Sequence, residues 1–353
     1  MTSFSFLSAA RPSFVRNPRT GLAAIALAAL LAVPGPALAQ QTSGQVFTAD
    51  EHGNSLSRVE LPSGKVTTVP LPVTPHNVQI TPDRTQLLIV GSPVEAGHGG
   101  GGHGDSAGRL LILDPQALEA APVEIEIGSH PAHVVTDREG TRAFATNAGD
   151  DTISVVDLAT RAVTSIPAGD YPHGLRLSPD GQQLLVANVE GDDVSLFDTA
   201  TMAEAARIPV GDAPVQVAFL PDGSRAYVSL RDEDAVAVID MAAREVVARI
   251  PVGDGPIQLF ATPDGGKVFV ANQGSEDAPS DEVSVIDVAS GSVIATVKVG
   301  MGAHGVVVST DGRLAFVTNV NDSTLTAIDT ASNEVVATYT VGAGPNGVTW
   351  LER

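Results

Sequence analysis

The sequence contains no cysteine, which excludes disulfide bonds and thiolate ligands. Aromatic residues make up 4% of the chain, with one tryptophan, so the surface is poor in the residues that dominate protein–protein hot spots. Basic residues are scarce as well, since 20 Lys and Arg stand against 41 Asp and Glu. So acidic a chain repels phosphate backbones and anionic membrane surfaces, and nucleic acid is therefore not expected as a partner.

Long apolar runs are missing except at the N-terminus. There, Arg11, Arg16 and Arg19 precede the run GLAAIALAALLAV, and Ala37-Leu38-Ala39 offers a small-residue cleavage site. This arrangement predicts a cleaved secretory signal peptide over residues 1–39. Removing its three arginines and no acidic residue takes the net charge from −21 to −24. We expect the mature chain, residues 40–353, to be a periplasmic or secreted monomer that does not insert into a membrane.

A repeat of about 42 residues runs through the mature chain. The segment that begins YPHGLRLSPDG at Tyr171 is followed by related segments that begin APVQVAFLPDG at Ala213 and GPIQLFATPDG at Gly255. Each unit contains four short apolar runs rich in Val, Ile and Leu, separated by Pro, Gly, Asp and Asn. Such runs predict four short β-strands per unit and an all-β chain.

The two ends of the chain complete the repeat. GPNGVTWLER, from Gly344, matches only a first strand, whereas QVFTAD, LSRVEL and KVTTVPL match only the second, third and fourth strands. Six full units and this composite unit predict a single-domain, seven-bladed β-propeller of four-stranded antiparallel blades. Pairing of the N- and C-terminal strands in one blade would close the ring and remove its open seam.

The ends of the second strands read FATN, LVAN, YVSL, FVAN and FVTN, beginning at Phe144, Leu185, Tyr227, Phe269 and Phe316. With the companion runs ISVVD, VSLFD, VAVID, VSVID and LTAID, they resemble the YVTN repeat family of β-propellers. The resemblance covers essentially the whole mature chain and implies the same seven-bladed fold. It does not imply one chemistry, because propellers include enzymes, ligand binders and docking platforms.

All eight histidines fall on one face of the predicted propeller. In an antiparallel meander, the starts of first strands, the loops between second and third strands, and the links between blades share one face. His76, His133, His173 and His304 begin innermost strands, so they are expected at the mouth of the central channel. The remaining blades place Gln216, Gln258 and Asn346 at corresponding points.

The segment HGGGGHGD, His98 to Asp105, lies in a loop between a second and a third strand of the first full blade. It is either a flexible connection or an arm of a site at the channel mouth, and its sequence leaves both possibilities open. A Gly-rich loop loses much conformational entropy when it is ordered, which favours the first possibility, whereas its position above the histidines favours the second.

Imidazole and carboxylate groups without thiolate predict a transition-metal ion, zinc first and copper second. The predicted metal ligands are His76, His133, His173, His304, His98, His103 and Asp105. The predicted channel ligands for a small molecule are Asn77, Gln216, Gln258 and Asn346.

Three classes of function stay open. The first is a periplasmic metal- or small-molecule-binding protein, which resembles propeller-fold zinc metallochaperones. The second is an enzyme similar to seven-bladed lyases and lactonases, with His173 or His304 as base beside a divalent ion. The third is a docking platform for a periplasmic partner protein. We rank them in this order.

The haem d1 propellers are related in repeat and use histidine, but seven blades rather than eight argue against haem, and no CxxCH motif for c-type attachment is present.

Overall fold

The computed structural model describes residues 42–94 and 106–353. Within them, 28 β-strands form seven four-stranded antiparallel sheets. Among these residues the helical structure is a single 3-10 turn, Arg231–Glu233. The predicted all-β, seven-bladed propeller is confirmed. The predicted signal peptide and the residues His98, His103 and Asp105 lie outside the described residues.

Each blade is numbered by its first strand along the chain, and its strands run from the channel outward. The strands of the first three blades are β4 (Val73–Ile80), β5 (Leu87–Pro93), β6 (Ala107–Leu113) and β7 (Val123–Ser129); β8 (Pro131–Thr136), β9 (Arg142–Asn147), β10 (Thr152–Asp157) and β11 (Val163–Pro167); and β12 (Pro172–Leu177), β13 (Gln183–Asn188), β14 (Asp193–Asp198) and β15 (Glu204–Pro209).

The next three blades follow the same order. Their strands are β16 (Pro214–Phe219), β17 (Arg225–Leu230), β18 (Ala235–Asp240) and β19 (Glu245–Pro251); β20 (Pro256–Ala261), β21 (Lys267–Gly274), β22 (Pro279–Asp287) and β23 (Ser292–Lys298); and β24 (Ala303–Val308), β25 (Leu314–Asn319), β26 (Thr324–Asp329) and β27 (Glu334–Thr340). Blade 7 consists of β28 (Pro345–Glu352), β1 (Gly44–Asp50), β2 (Ser55–Leu61) and β3 (Lys65–Pro70).

Blade 7 closes the ring as the sequence predicts. β28 pairs antiparallel with β1, and Trp350 stands opposite Val46. The Trp350 side chain is buried and stacks on Phe316 of blade 6, with ring centroids 5.4 Å apart. Because the last strand of the chain is the innermost strand of this blade, closure fixes both ends of the ring.

The hydrophobic core lies between the blades. In the described part of the chain, seven clusters of buried apolar residues occupy the seven contacts between neighbouring blades. The aromatic residue of the second-strand repeat is a recurrent member, and Phe144, Phe269 and Phe316 are fully buried. Burial of such a side chain stabilises the fold by about 1.5–3 kcal/mol, so the ring is held together by packing rather than by covalent links.

The asparagine that ends the repeat fastens the second strand to the third. In blade 3, Asn188 Nδ2 donates to Ser195 Oγ at 2.9 Å, and in blade 6, Asn319 Nδ2 donates to Thr326 Oγ1 at 2.9 Å. A buried amide needs such partners.

No helix in the described part of the chain is long and apolar enough to cross a membrane.

Candidate functional site

The channel-lining strands share a local irregularity that aims their side chains. In β12 the register with β13 shifts between Pro172 and Leu175, and β24 shows the same shift between Ala303 and Val306. These are β-bulges, which bend a strand and redirect its side chains. His173 and His304 lie within the shifted segments, so the bulges set the direction in which these imidazoles point.

A hydroxyl from the second-strand repeat holds the bulges of blades 2, 4 and 6 in place. Thr146 Oγ1 accepts a hydrogen bond from the backbone N–H of His133 at 3.1 Å and donates to the carbonyl of His173 at 2.5 Å. Thr318 Oγ1 likewise accepts from Gly305 N at 2.7 Å and donates to the Asn346 carbonyl at 2.8 Å. Each hydroxyl therefore fixes the channel strand of its own blade to that of the next.

The structure brings four histidines together at the channel mouth, on the face where the first strands begin, which we call the top face. The ring centroids of His76 lie 5.2 Å from those of His173, 5.8 Å from His133 and 6.4 Å from His304. Ligand atoms of His76, His133 and His173 all lie within 4.8 Å of one another. We call these four residues the histidine cluster.

Hydrogen-bond partners define the tautomers of His76 and His173. The Val215 carbonyl, 3.2 Å from His173 Nδ1, can only accept, so Nδ1 carries the proton and Nε2 has the free lone pair. His76 Nε2 lies 3.2 Å from that lone pair and donates to it. Asn346 Nδ2 lies 3.1 Å from His76 Nδ1, the atom that also faces Glu51 Oε2 at 3.5 Å. The Nε2 lone pair of His173 is therefore occupied by His76, and its other nitrogen is anchored on a backbone carbonyl.

His133 directs a hydrogen-bond donor, rather than a lone pair, into the cluster. Gln216 Oε1 accepts from the backbone N–H of Val217, so its amide nitrogen faces His133 Nδ1 at 3.2 Å and donates. The proton of neutral His133 is then on Nε2. This buried atom has no hydrogen-bond partner, and neither does the buried Nδ1 of His304. Unsatisfied buried polar atoms are rare and mark a place where a partner belongs.

Three imidazoles of the histidine cluster, those of His133, His173 and His304, are uncharged at neutral pH. Burial, followed by repulsion from His76, lowers the pKa of His173 and of His304 to about 3. Burial also lowers the pKa of His133 well below its usual range, together with the charges of His173 and His76. Neutral imidazoles retain the lone pair that a metal centre requires.

Glu51 is a member of this site that the sequence does not single out. Its Oε2 accepts from Asn346 Nδ2 at 2.6 Å and lies 3.5 Å from His76 Nδ1. Burial by itself would raise the pKa of Glu51, but the hydrogen bond and charge of His76 and the bond from Asn346 lower it to about 2. The position just after β1 gives no sequence signal for this role, because only ring closure brings Glu51 beside β28.

The remaining predicted residues fall in different surroundings. Asn77 is buried between blades 1 and 2, where its Oδ1 accepts from Val134 N at 3.4 Å. Gln258 is buried and its Nε2 has no partner. His52 is exposed on the top face. The structure thus brings the four channel histidines, Gln216 and Asn346 together and places Asn77 outside the cluster.

A polar cavity opens on the top face between blades 3 and 4, and its lining includes none of the four channel histidines. It has a volume of about 610 Å³ and contains Tyr171, Arg231 and four carboxylates, those of Glu190, Asp192, Asp212 and Asp232. Tyr171 is 39% exposed and adopts a φ of 54°. The cavity therefore presents an aromatic ring and a single cation among four acidic groups.

Comparisons with known proteins add a family match. Residues 104–273 match the family described as Cytochrome D1 heme domain. The matched segment contains His133 and His173, whereas His76 and His304 lie outside it. No curated protein is significantly similar to the sequence.

Solved propellers resemble the whole fold at low sequence identity. Hydrazine synthase of Kuenenia stuttgartiensis is 20% identical, with a TM-score of 0.67 over 79% of this chain and 95% of that one. The periplasmic gluconolactonase PpgL of Pseudomonas aeruginosa is 19% identical, with a TM-score of 0.70 over 87% and 99%. Dihydro-heme d1 dehydrogenase NirN, in complex with DHE, is 14% identical, with a TM-score of 0.62 over 87% and 75%. The propeller is supported by all three, and the YVTN assignment stays a resemblance.

The prediction of zinc, with copper second, as cofactor is wrong. The family matched over residues 104–273 is that of a haem domain, and the similar structure of NirN is a complex with DHE, so the proteins that this chain resembles are not zinc or copper proteins. The error has a chemical reason, because imidazole is a ligand for free zinc and copper and equally the axial ligand of haem iron. Donor type alone does not separate the two.

Proposed function

We propose that this protein is a periplasmic propeller that binds an iron tetrapyrrole of the haem d1 type at the top of its central channel. The observation that carries the proposal is the histidine cluster, whose neutral imidazoles include buried nitrogens without partners, at a place that the haem-domain match partly covers.

The residues fit such a ligand. His173 would offer its Nε2 lone pair to iron in place of the hydrogen bond from His76. The Val215 carbonyl holds its other nitrogen, an arrangement that orients an imidazole and increases its basicity toward iron. His133 offers an unpaired N–H from the same cluster, which suits a hydrogen bond to a group bound near the iron. We assign His173 as the iron ligand and His133 as the donor.

The polar cavity of the top face has room for part of a tetrapyrrole. Its volume of about 610 Å³ lies within the range of about 300–1,000 Å³ that is common for small-molecule sites. Tyr171 would supply an aromatic face for the macrocycle, and Arg231, the one cation among four lining carboxylates, would pair with one of its carboxylates. Arg231 is otherwise paired with Asp232 on the surface, with side chains 43% and 55% exposed, and exposed pairs of this kind are weak.

When bound, an iron tetrapyrrole supplies redox and ligand-binding chemistry at iron. The protein's own contribution is to bind and orient it. The Thr146 and Thr318 hydroxyls fix the bulges that carry the imidazoles, and burial keeps those imidazoles uncharged. Because no cysteine is present, such a ligand would be held without a thioether bond.

The test is a titration of tag-free mature protein with haem d1 and, separately, with ferric protoporphyrin IX, followed by absorbance. We expect saturation at one haem d1 per chain. The His173→Ala variant should bind about tenfold or more weakly, as is common when a metal ligand's environment is lost. His52→Ala, which removes an exposed histidine of the same face, is the matched control and should bind like the wild type. Absence of saturable binding, or equal binding by His173→Ala, would contradict the proposal.

A second function is favoured by one specific contact. Glu51 Oε2 lies 3.5 Å from His76 Nδ1, and a carboxylate at this place can hold an imidazole in the tautomer that acts as general base on water. That role requires His76 Nε2 to give up its hydrogen bond to His173. His173 and His304, the catalytic candidates from the sequence, have no hydrogen-bonded carboxylate among the described residues. A lactone hydrolase would therefore use His76.

This alternative is tested by following hydrolysis of glucono-1,5-lactone in a pH-stat. A lactonase would give turnover above the spontaneous rate, and both Glu51→Gln and His76→Gln would reduce it, while His52→Gln would not. A rate equal to the uncatalysed one for the wild type would exclude this lactonase activity.

A further inference from the structure

The lower half of the central channel contains a second cavity, remote from the histidine cluster. It has a volume of about 340 Å³. Its lining includes the last residues of the innermost strands and two residues, Pro179 and Thr310, of the turns that follow them. Because the histidines stand at the starts of the same strands, the two sites occupy opposite ends of the channel.

Arg176 is the one charged residue that lines this cavity in the described part of the chain. It lies in β12, three residues after His173. Its guanidinium stacks over the Phe260 ring, with Cζ 5.2 Å from the ring centroid. Within the described residues, no carboxylate is within ion-pair distance of it and no side chain or backbone carbonyl accepts a hydrogen bond from it. Burial accordingly lowers the pKa of Arg176 to about 10.

Arg176 is half-buried in the wall of this cavity. A guanidinium in this position loses part of its hydration, and among the described residues no ion pair or hydrogen bond replaces it. Its donors are arranged as a planar fork that matches a carboxylate or phosphate. The cation is therefore placed where an anion from outside the chain would satisfy it.

The other lining groups define the kind of anion. Gln79, Thr310 and Thr349 supply polar atoms, while Phe219, Phe260 and Trp350 supply aromatic walls. A small inorganic anion would leave these walls in contact with water, whereas an organic anion would cover them and gain from burial of apolar surface.

We propose that this lower cavity binds a small organic monocarboxylate with an apolar body, whose carboxylate pairs with Arg176 and whose body lies against Phe260. The site is separate from the proposed tetrapyrrole site and does not depend on it. It would give the channel two ends with different ligands, an iron tetrapyrrole on top and an organic acid below.

The first test uses calorimetric titration with benzoate and phenylacetate, with benzamide as the uncharged isostere and inorganic phosphate as the anion without an apolar body. We expect the two carboxylates to bind more tightly than benzamide and phosphate. Arg176→Gln should weaken carboxylate binding about tenfold or more, because a hydrogen bond to a charged group contributes about 1.5–3 kcal/mol. Arg313→Gln, which removes an exposed arginine of the same face, should leave binding unchanged.

Four results would overturn the proposal. They are no binding of either carboxylate, equal binding of benzamide, tighter binding of phosphate, or unchanged binding by Arg176→Gln. A loss of binding in Arg313→Gln as large as in Arg176→Gln would also overturn it, since it would show a general effect of charge at this face.

A second test needs no ligand. Arg176→Met replaces an unpaired cation with an apolar side chain of similar length, so it should raise the Tm of the ligand-free protein. In the wild type, benzoate should raise the Tm by mass action, and in Arg176→Met it should not. A lower Tm for ligand-free Arg176→Met would show that the guanidinium is already satisfied within the fold and would overturn the proposal.

Discussion

The charge state of the histidine cluster gives a quantitative prediction, because one member is buried deeply enough for a simple calculation. His304 is 6% exposed, and burial, followed by repulsion from His76, lowers its pKa to about 3 from the usual 6.5. A histidine with a lowered pKa in the folded state takes up its proton only on unfolding at mildly acidic pH. The contribution of neutral His304 to the free energy of unfolding is therefore present above about pH 6.5 and is lost as the pH falls toward 3.

The size of the effect follows from the two pKa values. Each pH unit below the unfolded pKa removes about 1.4 kcal/mol of unfolding free energy while the folded imidazole stays neutral. Between about pH 7 and pH 5 the loss from His304 alone is therefore about 2 kcal/mol. The His304→Gln variant lacks the titrating group but keeps a polar side chain, as blades 4 and 5 do with Gln216 and Gln258. It should lose about 2 kcal/mol less than the wild type over that interval.

The assay is urea unfolding of wild type and His304→Gln at both pH values, with the unfolding free energies compared as differences within each protein. His52→Gln, at an exposed position of the same face, should keep the wild-type difference. If His304→Gln showed the same acid loss as the wild type, His304 would not be a desolvated neutral imidazole, and the reasoning about the cluster would fail.

Three further predictions concern the closing blade and the top face. Burial raises the pKa of Asp50 to about 6 in spite of hydrogen bonds from Ser57 and other hydroxyls, so the contribution of this carboxyl group to stability is lost as the pH rises from about 4 to 6. Asp50→Asn should therefore add about 3 kcal/mol to the free energy of unfolding in urea at about pH 8 and less at pH 5. An equal gain at both pH values would contradict this. Tyr171 has a φ of 54°, which is costly for a residue other than glycine, so Tyr171→Gly should raise the free energy of unfolding by about 1 kcal/mol. The same variant should bind haem d1 more weakly in the absorbance titration. A loss of stability would show that the positive φ of Tyr171 is not strained. Trp350→Ala should cost about 3–5 kcal/mol in urea unfolding, and a cost near zero would show that the stacking on Phe316 does not support ring closure.

The fold could be predicted because its signals repeat along the chain. Each unit carries the same strand lengths and turns, and the incomplete units at the two ends predict the pairing of β28 with β1. The convergence of His76, His133, His173 and His304 could also be predicted, since a meander places the start of every first strand on one face. These properties depend on topology, which a repeat reveals.

The details of the site could not be predicted because they depend on contacts between blades. The bulges at His173 and His304 follow from hydroxyls such as Thr146 and Thr318 that reach the neighbouring blade. Arg176 stands between two leucines in the sequence, where it reads as a solvated position of a strand. Only the closed ring shows that it lines a cavity and has no carboxylate partner among the described residues.

The most direct test of the central claim is pulsed electron paramagnetic resonance on protein labelled with 15N-histidine and loaded with paramagnetic haem d1. Our account predicts nuclear coupling from an imidazole nitrogen to the iron, retained in the His52→Ala control and lost or replaced in His173→Ala. Haem d1 that binds without any histidine coupling, or with coupling unchanged in His173→Ala, would contradict the assignment of His173 as the iron ligand.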